Sequence, residues 1–146
     1  MIDRIDKDVK TAMKSGDAVR RDALRLVLSS LRDAEKDARR PLTEDEEQAV
    51  LRRELKRRRE AAVAFREAGH EDRAAAEESE AALIESYLPA QLPDADLEVI
   101  VESAVAKVGA TSPREMGQVM REAMAMVAGR ADGKRVQERV RARLAE

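Results

Sequence analysis

The sequence predicts an all-α protein made of two helical bundles, with four helices in the N-terminal bundle and three in the C-terminal one. Charged residues make up 40% of the chain, hydrophobic residues 43% and aromatic residues only 1%. This mixture is typical of helical bundles, whereas a sheet protein uses more β-branched and aromatic residues. Apolar residues also recur at helical spacing, and glycines and prolines divide the chain into separate helical stretches.

Residues 1–88 are expected to form the four-helix unit. Its helices are predicted over residues 2–15, from Asp17 to Pro41, from Thr43 to about Ala68, and over residues 71–88. Asp17 can cap its helix by accepting free backbone N–H bonds. Thr43 and Glu46 have the spacing of a capping box, in which each side chain bonds the other residue's backbone. A long coiled coil is the alternative, but no heptad pattern persists long enough to favour it.

The turn from Leu88 to Pro93 contains two prolines and marks the predicted boundary. Residues 94–146 are expected to form the three-helix unit. The expected helix caps are Asp94, Asp132 and a capping box of Ser112 with Glu115. Gly109 suits the position that follows a helix end, where a left-handed residue is wanted, and Gly129 is expected to end the next helix.

One apolar stripe on each helix is expected to face a core. In the first unit the stripes are Ile2, Ile5, Val9 and Met13; Leu24, Val27, Leu28, Leu31 and Ala34; Leu51, Leu55, Ala62 and Phe65; and Ala75, Ala82, Leu83 and Leu88. In the second unit they are Leu97, Ile100, Val101, Ala104, Val105 and Val108; Met116, Val119, Met120, Ala123 and Val127; and Val136, Val140 and Leu144. The two cores are therefore aliphatic.

Two residues do not fit this pattern. Arg58 falls within the stripe of the third helix, where an unpaired buried arginine would be costly. Either it pairs with a carboxylate or the stripe is open at that point. Gly117 lies inside a predicted helix, where glycine is less favourable than alanine. Close helix packing would explain this glycine, and so would a ligand that approaches the backbone.

Residue chemistry alone identifies no catalytic, metal or cofactor site. Cysteine is absent, and His70 is the only histidine, expected to be a solvated loop residue. No serine lies in a G-x-S-x-G setting, and no metal-ligand motif occurs. The stretch from Gly129 to Lys134 lacks the spacing and the Ser or Thr of a Walker A phosphate loop. We therefore expect no catalytic residue, no metal and no cofactor.

The sequence also predicts a cytoplasmic protein that does not enter a membrane. The start of the chain has no apolar signal region, and no apolar run approaches the roughly 20 residues that span a bilayer. The absence of cysteine is compatible with a reducing compartment. A net charge of −2 provides no global basic field, so any site for a polyanion must be local.

Two basic clusters are candidates for such a site. In the third helix, Arg52, Lys56 and Arg59 share one flank and form a possible second basic surface. At the C-terminus, the cations Arg130, Lys134, Arg135, Arg139, Arg141 and Arg143 are opposed along the tail only by Asp132, Glu138 and Glu146. A helix start flanked by cations is a sound phosphate site, and Gly129 and Gly133 would let a backbone approach. For both clusters the alternative is a solvated surface balanced by nearby acids.

Several motifs resemble the GatB/YqeY family, and specifically its free-standing YqeY-like proteins. The resemblance rests on the stretches 42–47, 53–58, 68–72, 87–92, 116–120 and 129–136. It implies two helical bundles, of four and three helices. It also implies that the C-terminal bundle is similar to the tail of the GatB subunit of the glutamine-dependent amidotransferase, a carbon–nitrogen ligase that amidates Glu-tRNA(Gln) or Asp-tRNA(Asn). The catalytic part of that subunit has no counterpart here.

Three functions follow as hypotheses. The first is a tRNA-binding or tRNA-associated accessory protein. In it, phosphates would be contacted by Arg130, Lys134, Arg135 and Arg139, and the backbone could come close at Gly129 and Gly133. The second is a protein–protein adaptor that docks a partner through Met116, Met120, Met124 and Met126. The third is a component of the amidotransferase that acts in trans.

Overall fold

The computed structural model describes all 146 residues and contains helices but no strand, which confirms the all-α prediction. The helices are α1 (Ile2–Ser15), α2 (Ala18–Ala38), α3 (Glu44–Glu67), α4 (Glu71–Glu85), α5 (Asp94–Val108), α6 (Met116–Val127) and α7 (Gly133–Leu144). A single 3-10 turn, Pro113–Glu115, leads into α6. The chain divides into two compact units, Met1–Leu88 and Pro89–Glu146, called here the N-terminal and C-terminal units.

The N-terminal unit contains α1–α4 around one aliphatic core. Helix α1 packs along α2, and α3 packs along α4. The core residues are Ile5, Val9, Leu24, Val27, Leu28, Leu31, Val50, Leu51, Leu55, Ala81, Ile84 and Tyr87. Burial of these side chains stabilises the unit, at roughly 1.5–3 kcal/mol for each large aliphatic group.

Local capping signals define where these helices begin. The Asp17 carboxylate accepts a 3.0 Å bond from the Arg20 amide at the start of α2. The Thr43 hydroxyl accepts from the Glu46 amide at 3.2 Å, and the Glu46 carboxylate accepts from the Thr43 amide at 2.9 Å. Both predicted caps are confirmed. Each satisfies amides that the helix cannot pair internally.

The predicted inner faces of α1 and α4 need correction. Met13 is 52% exposed, and Ala12 takes the buried position in its place. Helix α4 ends at Glu85 and buries Ala74, Ala81 and Ile84, whereas Ala75 and Ala82 are exposed. Leu83 and Leu88 are only partly buried against the core. The physical reason is that α4 carries runs of alanine, so several faces are almost equally apolar and packing against α3 selects one.

The C-terminal unit contains α5–α7 around a second aliphatic core. Its core residues are Leu92, Leu97, Val101, Ala104, Val105, Val119, Ala123, Val127, Ala131, Val136, Val140 and Leu144. Gly109 ends α5 at a φ of 72°, as the sequence predicts. Ser112 and Glu115 form the predicted capping box around Pro113. The Leu92 amide donates to the Arg130 carbonyl at 2.7 Å, which ties the segment before α5 to the α6–α7 connection.

Two expectations for this unit are wrong. Asp94 does not cap α5, because extended Pro93 takes the cap position and Asp94 becomes the first helical residue. Its carboxylate is thereby free for other partners. Gly117 does not mark close helix packing, since a Cβ atom placed there would meet nothing within 4 Å.

Candidate nucleic-acid interface

The connection from α6 to α7 is held by local backbone geometry and a buried anchor. Helix α6 ends in two left-handed residues, Ala128 with φ 46° and Gly129 with φ 82°. Ala131 is 1% exposed and packs in the core of the C-terminal unit. Asp132 then caps α7 as predicted, with its carboxylate accepting from the Arg135 amide at 2.9 Å. The first turn of α7 therefore has a fixed position.

That first turn is open to solvent. Gly133 and Lys134 are exposed, and their amides precede the one that Asp132 engages, so they have no helical partner. A Cβ atom at Gly133 would meet nothing within 4 Å. The Lys134 side chain forms no ion pair. Amides and a cation at the positive end of a helix dipole favour an anionic group.

The neighbouring arginines are paired across helices with acids that lie outside the tail, which favours the alternative of a surface balanced by nearby acids. Three carboxylates on α5 face three arginines on α7. The pairs are Arg135–Asp94 at 2.5 Å, Arg139–Glu98 at 2.7 Å, and Arg143–Glu102. Arg135 and Arg139, two of the predicted phosphate ligands, are therefore held by carboxylates of the same unit.

A regular spacing in the sequence could have revealed these pairs. The three acids recur every four residues on α5, and the three arginines recur every four residues on α7. Each partner lies 41 residues from the other. In a three-helix bundle with alternating directions, the first and third helices run parallel, so a constant offset is the expected sign of such a row of ion pairs.

The other predicted residues of this cluster differ in their availability. Arg130 is exposed, but its guanidinium group donates to the carbonyls of Met126 and Val127, both at 3.1 Å. It therefore closes the C-terminal end of α6, where a cation complements the helix dipole. Arg141 is exposed and forms no ion pair. Lys134 is thus the unpaired cation beside the open first turn.

Each cation of the second predicted basic surface, on α3, has a polar partner, and for two of them that partner is a carboxylate. Arg52 donates to the Gln48 side chain at 3.0 Å. Lys56 lies 3.8 Å from Glu60, and Arg59 lies 2.9 Å from Glu85 of α4. These contacts favour the alternative that the cluster is a balanced surface.

Arg58 pairs with carboxylates, which is the first of the two alternatives that the sequence left open. Its guanidinium group lies 2.8 Å from Glu80 and 3.4 Å from Glu77, both on α4. Its side chain is 19% exposed. A mostly buried cation between two carboxylates fixes the register of α3 against α4.

Tyr87 forms a further polar contact that no sequence motif indicated. Its hydroxyl donates to the Asp8 carboxylate of α1, and the Arg4 guanidinium group lies 4.6 Å from the ring centre. Burial, followed by the bond to Asp8, raises the pKa of Tyr87 to about 12. The phenol therefore stays protonated at neutral pH and joins the end of the N-terminal unit to its first helix.

The methionine surface of the adaptor hypothesis is mostly part of the core. Met116, Met120 and Met126 pack against the core of the C-terminal unit, and Met124 alone is 37% exposed. Met124 is therefore the most exposed of the four methionines.

The remaining chemical features are modest. His70 is exposed at the start of α4, with its ring edge against Phe65 at a centroid distance of 6.4 Å. No group of three His, Cys, Asp or Glu side chains is arranged to hold a metal ion. No helix has the length and apolar character to cross a membrane.

Together, the fold and the site define a small all-α protein of two helical units, in which the start of α7 presents exposed amides and an unpaired lysine. The family model described as "Yqey-like protein" matches residues 2–144. The chain therefore belongs to the YqeY-like family. No curated protein sequence matches the chain closely enough to show a relationship.

Proposed function

We propose that this protein is a tRNA-associated accessory protein that binds RNA phosphates at the start of α7. The observation that carries the proposal is the exposed Lys134 side chain beside the unpaired amides of Gly133 and Lys134. These groups provide a charged donor, two neutral donors and the positive end of a helix dipole within one turn.

The choice of tRNA over other polyanions rests on resemblance. The stretches 116–120 and 129–136 resemble the GatB/YqeY signature, and the tail of the GatB subunit of the amidotransferase is a domain that engages tRNA. We assign this role to a domain spanning residues 94–146, with residues 1–88 as a separate domain. In this proposal the protein has no amidotransferase centre of its own.

The aromatic content favours recognition of the backbone over stacking on bases. Phe65 and Tyr87 are the only residues of the Phe, Tyr and Trp types, and both lie in the N-terminal unit. Proteins that bind single strands without sequence preference rely on aromatic platforms. A folded RNA can instead be recognised through its shape and phosphates.

The number of phosphate contacts determines the dependence of binding on salt. Two contacts, from Lys134 and Arg130, predict about a 12-fold loss of affinity between about 50 and 200 mM salt. Four contacts predict about a 150-fold loss over the same range. The salt slope therefore reports how many of the candidate cations take part.

A gel-shift series with deacylated and charged tRNA tests the proposal. Lys134→Glu is the informative variant, because an acid in the first turn of α7 complements the helix dipole and does not destabilise the helix. The matched control is Lys7→Glu, since Lys7 is an exposed lysine of α1 that forms no ion pair. We expect Lys134→Glu to weaken binding at least tenfold and Lys7→Glu to leave it within twofold. Absence of tRNA binding at about 50 mM salt, or equal effects of both variants, contradicts the proposal.

A further inference from the structure

The guanidinium groups of Arg135 and Arg139 converge on one carboxylate. Arg135 Nη2 lies 2.5 Å from Asp94 Oδ1, and Arg139 Nη2 lies 2.9 Å from Asp94 Oδ2. Two guanidinium donors that meet two oxygens of one anion are also the arrangement that binds a phosphate group. The Asp94 carboxylate stands where a phosphate would lie.

We infer that Arg135 and Arg139 form a phosphate site of the RNA-binding surface and that Asp94 keeps this site closed in the free protein. The inference rests on the proposed function and deepens it by naming a regulatory contact. Arg135 follows Lys134 in the first turn of α7, and Arg139 lies about one turn further along the helix. The side chains are 28% exposed at Arg135, 36% at Arg139 and 63% at Asp94, so all three reach solvent.

The Asp94 side chain can move away from Arg135 and Arg139 without disturbing the fold. Its carboxylate does not cap α5, and water can solvate it when it moves away. An exposed ion pair of this kind contributes little to stability, so a multivalent anion can displace it. The bond from Arg135, with the charge of Arg139, lowers the pKa of Asp94, which keeps the competing carboxylate ionised at neutral pH.

The other paired acids of α5 each contact one arginine, whereas Asp94 contacts two. Glu98 contacts Arg139 alone, at 2.7 Å, and Glu102 contacts Arg143 alone. When Asp94 is removed, Glu98 still holds the Arg139 stem in position. The site is therefore expected to stay organised in an Asp94→Asn variant, with a neutral amide that competes less strongly with an incoming phosphate.

The competition lowers the apparent affinity for an anion by the fraction of molecules in which the site is open. Releasing Asp94 from its two exposed pairs is expected to change that affinity by about fivefold. The test uses inorganic pyrophosphate and the Nε–Hε signals of Arg135 and Arg139 in the full-length protein, recorded by NMR. We expect half-saturation of the shifts in Asp94→Asn at about one-fifth of the concentration needed for the unsubstituted chain.

Asp96→Asn is the matched control, because Asp96 is an exposed acid in the same first turn of α5 with no ion pair. It removes the same charge without touching the arginines. Equal pyrophosphate affinities of the two variants, or no shift of the Arg135 and Arg139 signals, overturn the inference independently of the result with tRNA.

The same proteins are then titrated with tRNA, where Asp94→Asn is expected to bind about fivefold more tightly and with a steeper salt slope than Asp96→Asn. A pyrophosphate response without tRNA binding removes the proposed function and leaves the anion site in place.

Discussion

Replacing Arg58 by methionine is expected to destabilise the N-terminal unit far more than replacing its neighbour Arg59. Arg58 is 19% exposed and lies between Glu77 and Glu80, which are 20% and 28% exposed. Its removal leaves two carboxylates close together at a mostly buried site. Breaking a fully buried pair costs roughly 3–5 kcal/mol. Because water reaches all three groups here, we expect a loss of about 2 kcal/mol in the free energy of unfolding.

Arg59→Met provides the control. Arg59 and its partner Glu85 are 57% and 49% exposed, so this pair is solvated. Its loss is expected to cost about 0.5 kcal/mol or less. Both variants remove one arginine from the same turn of α3, and they differ mainly in the burial of the ion pair.

Urea unfolding followed by tyrosine fluorescence is the assay. Tyr87 is the only tyrosine and tryptophan is absent, so the signal reports the N-terminal unit alone. The reasoning fails if the two variants unfold at the same urea concentration. Adding Glu80→Met to Arg58→Met should recover part of the lost stability, because it removes one uncompensated charge.

Three further predictions concern helix ends and glycines. The Arg40 ion pair and the Thr43 amide lower the pKa of Glu46 to about 2 from 4.5, so its contribution to stability is complete above about pH 4.5 and is lost as the pH falls towards 2. The stability difference between the unsubstituted chain and Glu46→Gln should therefore shrink over that range in urea titrations, and a constant difference would be inconsistent with it. Gly117→Ala should stabilise the C-terminal unit by up to about 1 kcal/mol, measured by thermal unfolding, because the added methyl group meets no neighbour; a loss of stability would show that the site is crowded. Gly129→Ala should lower the free energy of unfolding by about 1 kcal/mol, because alanine is strained at a φ of 82°. Gly133→Ala should not lower it, since the added methyl group meets no neighbour. Equal effects of the two substitutions would contradict this difference.

Carboxylates of a neighbouring helix hold several arginines in each unit. Helix α3 uses Arg58, Arg59 and Arg66 to bind carboxylates of α4. Helix α7 uses Arg135, Arg139 and Arg143 in the same way against α5. The interhelical ion pairs surround cores built without aromatic side chains, apart from Tyr87. At α7, the proposed binding of a polyanion therefore depends on Lys134 and other cations without a carboxylate partner, and on those that can exchange partners.

Local signals made much of the fold predictable from the sequence. The caps at Asp17, Thr43 and Asp132 act within a single turn, and each is found where the sequence places it. The stripe of Val136, Val140 and Leu144 is buried as expected, since only one face of α7 is apolar. At the candidate site, the sequence located the start of α7 and its exposed Lys134, because capping and helix polarity are also local, while phosphate binding there stays a prediction.

The sequence by itself determined the all-α class and the helices with strong caps and unambiguous apolar periodicity. Only the tertiary structure decided which face of alanine-rich α4 is buried, and which arginines are free. Alanine runs leave several faces almost equal in hydrophobicity, so the neighbouring helix makes the choice. Ion pairs join residues 41 positions apart, and their formation depends on the direction and register in which two helices pack.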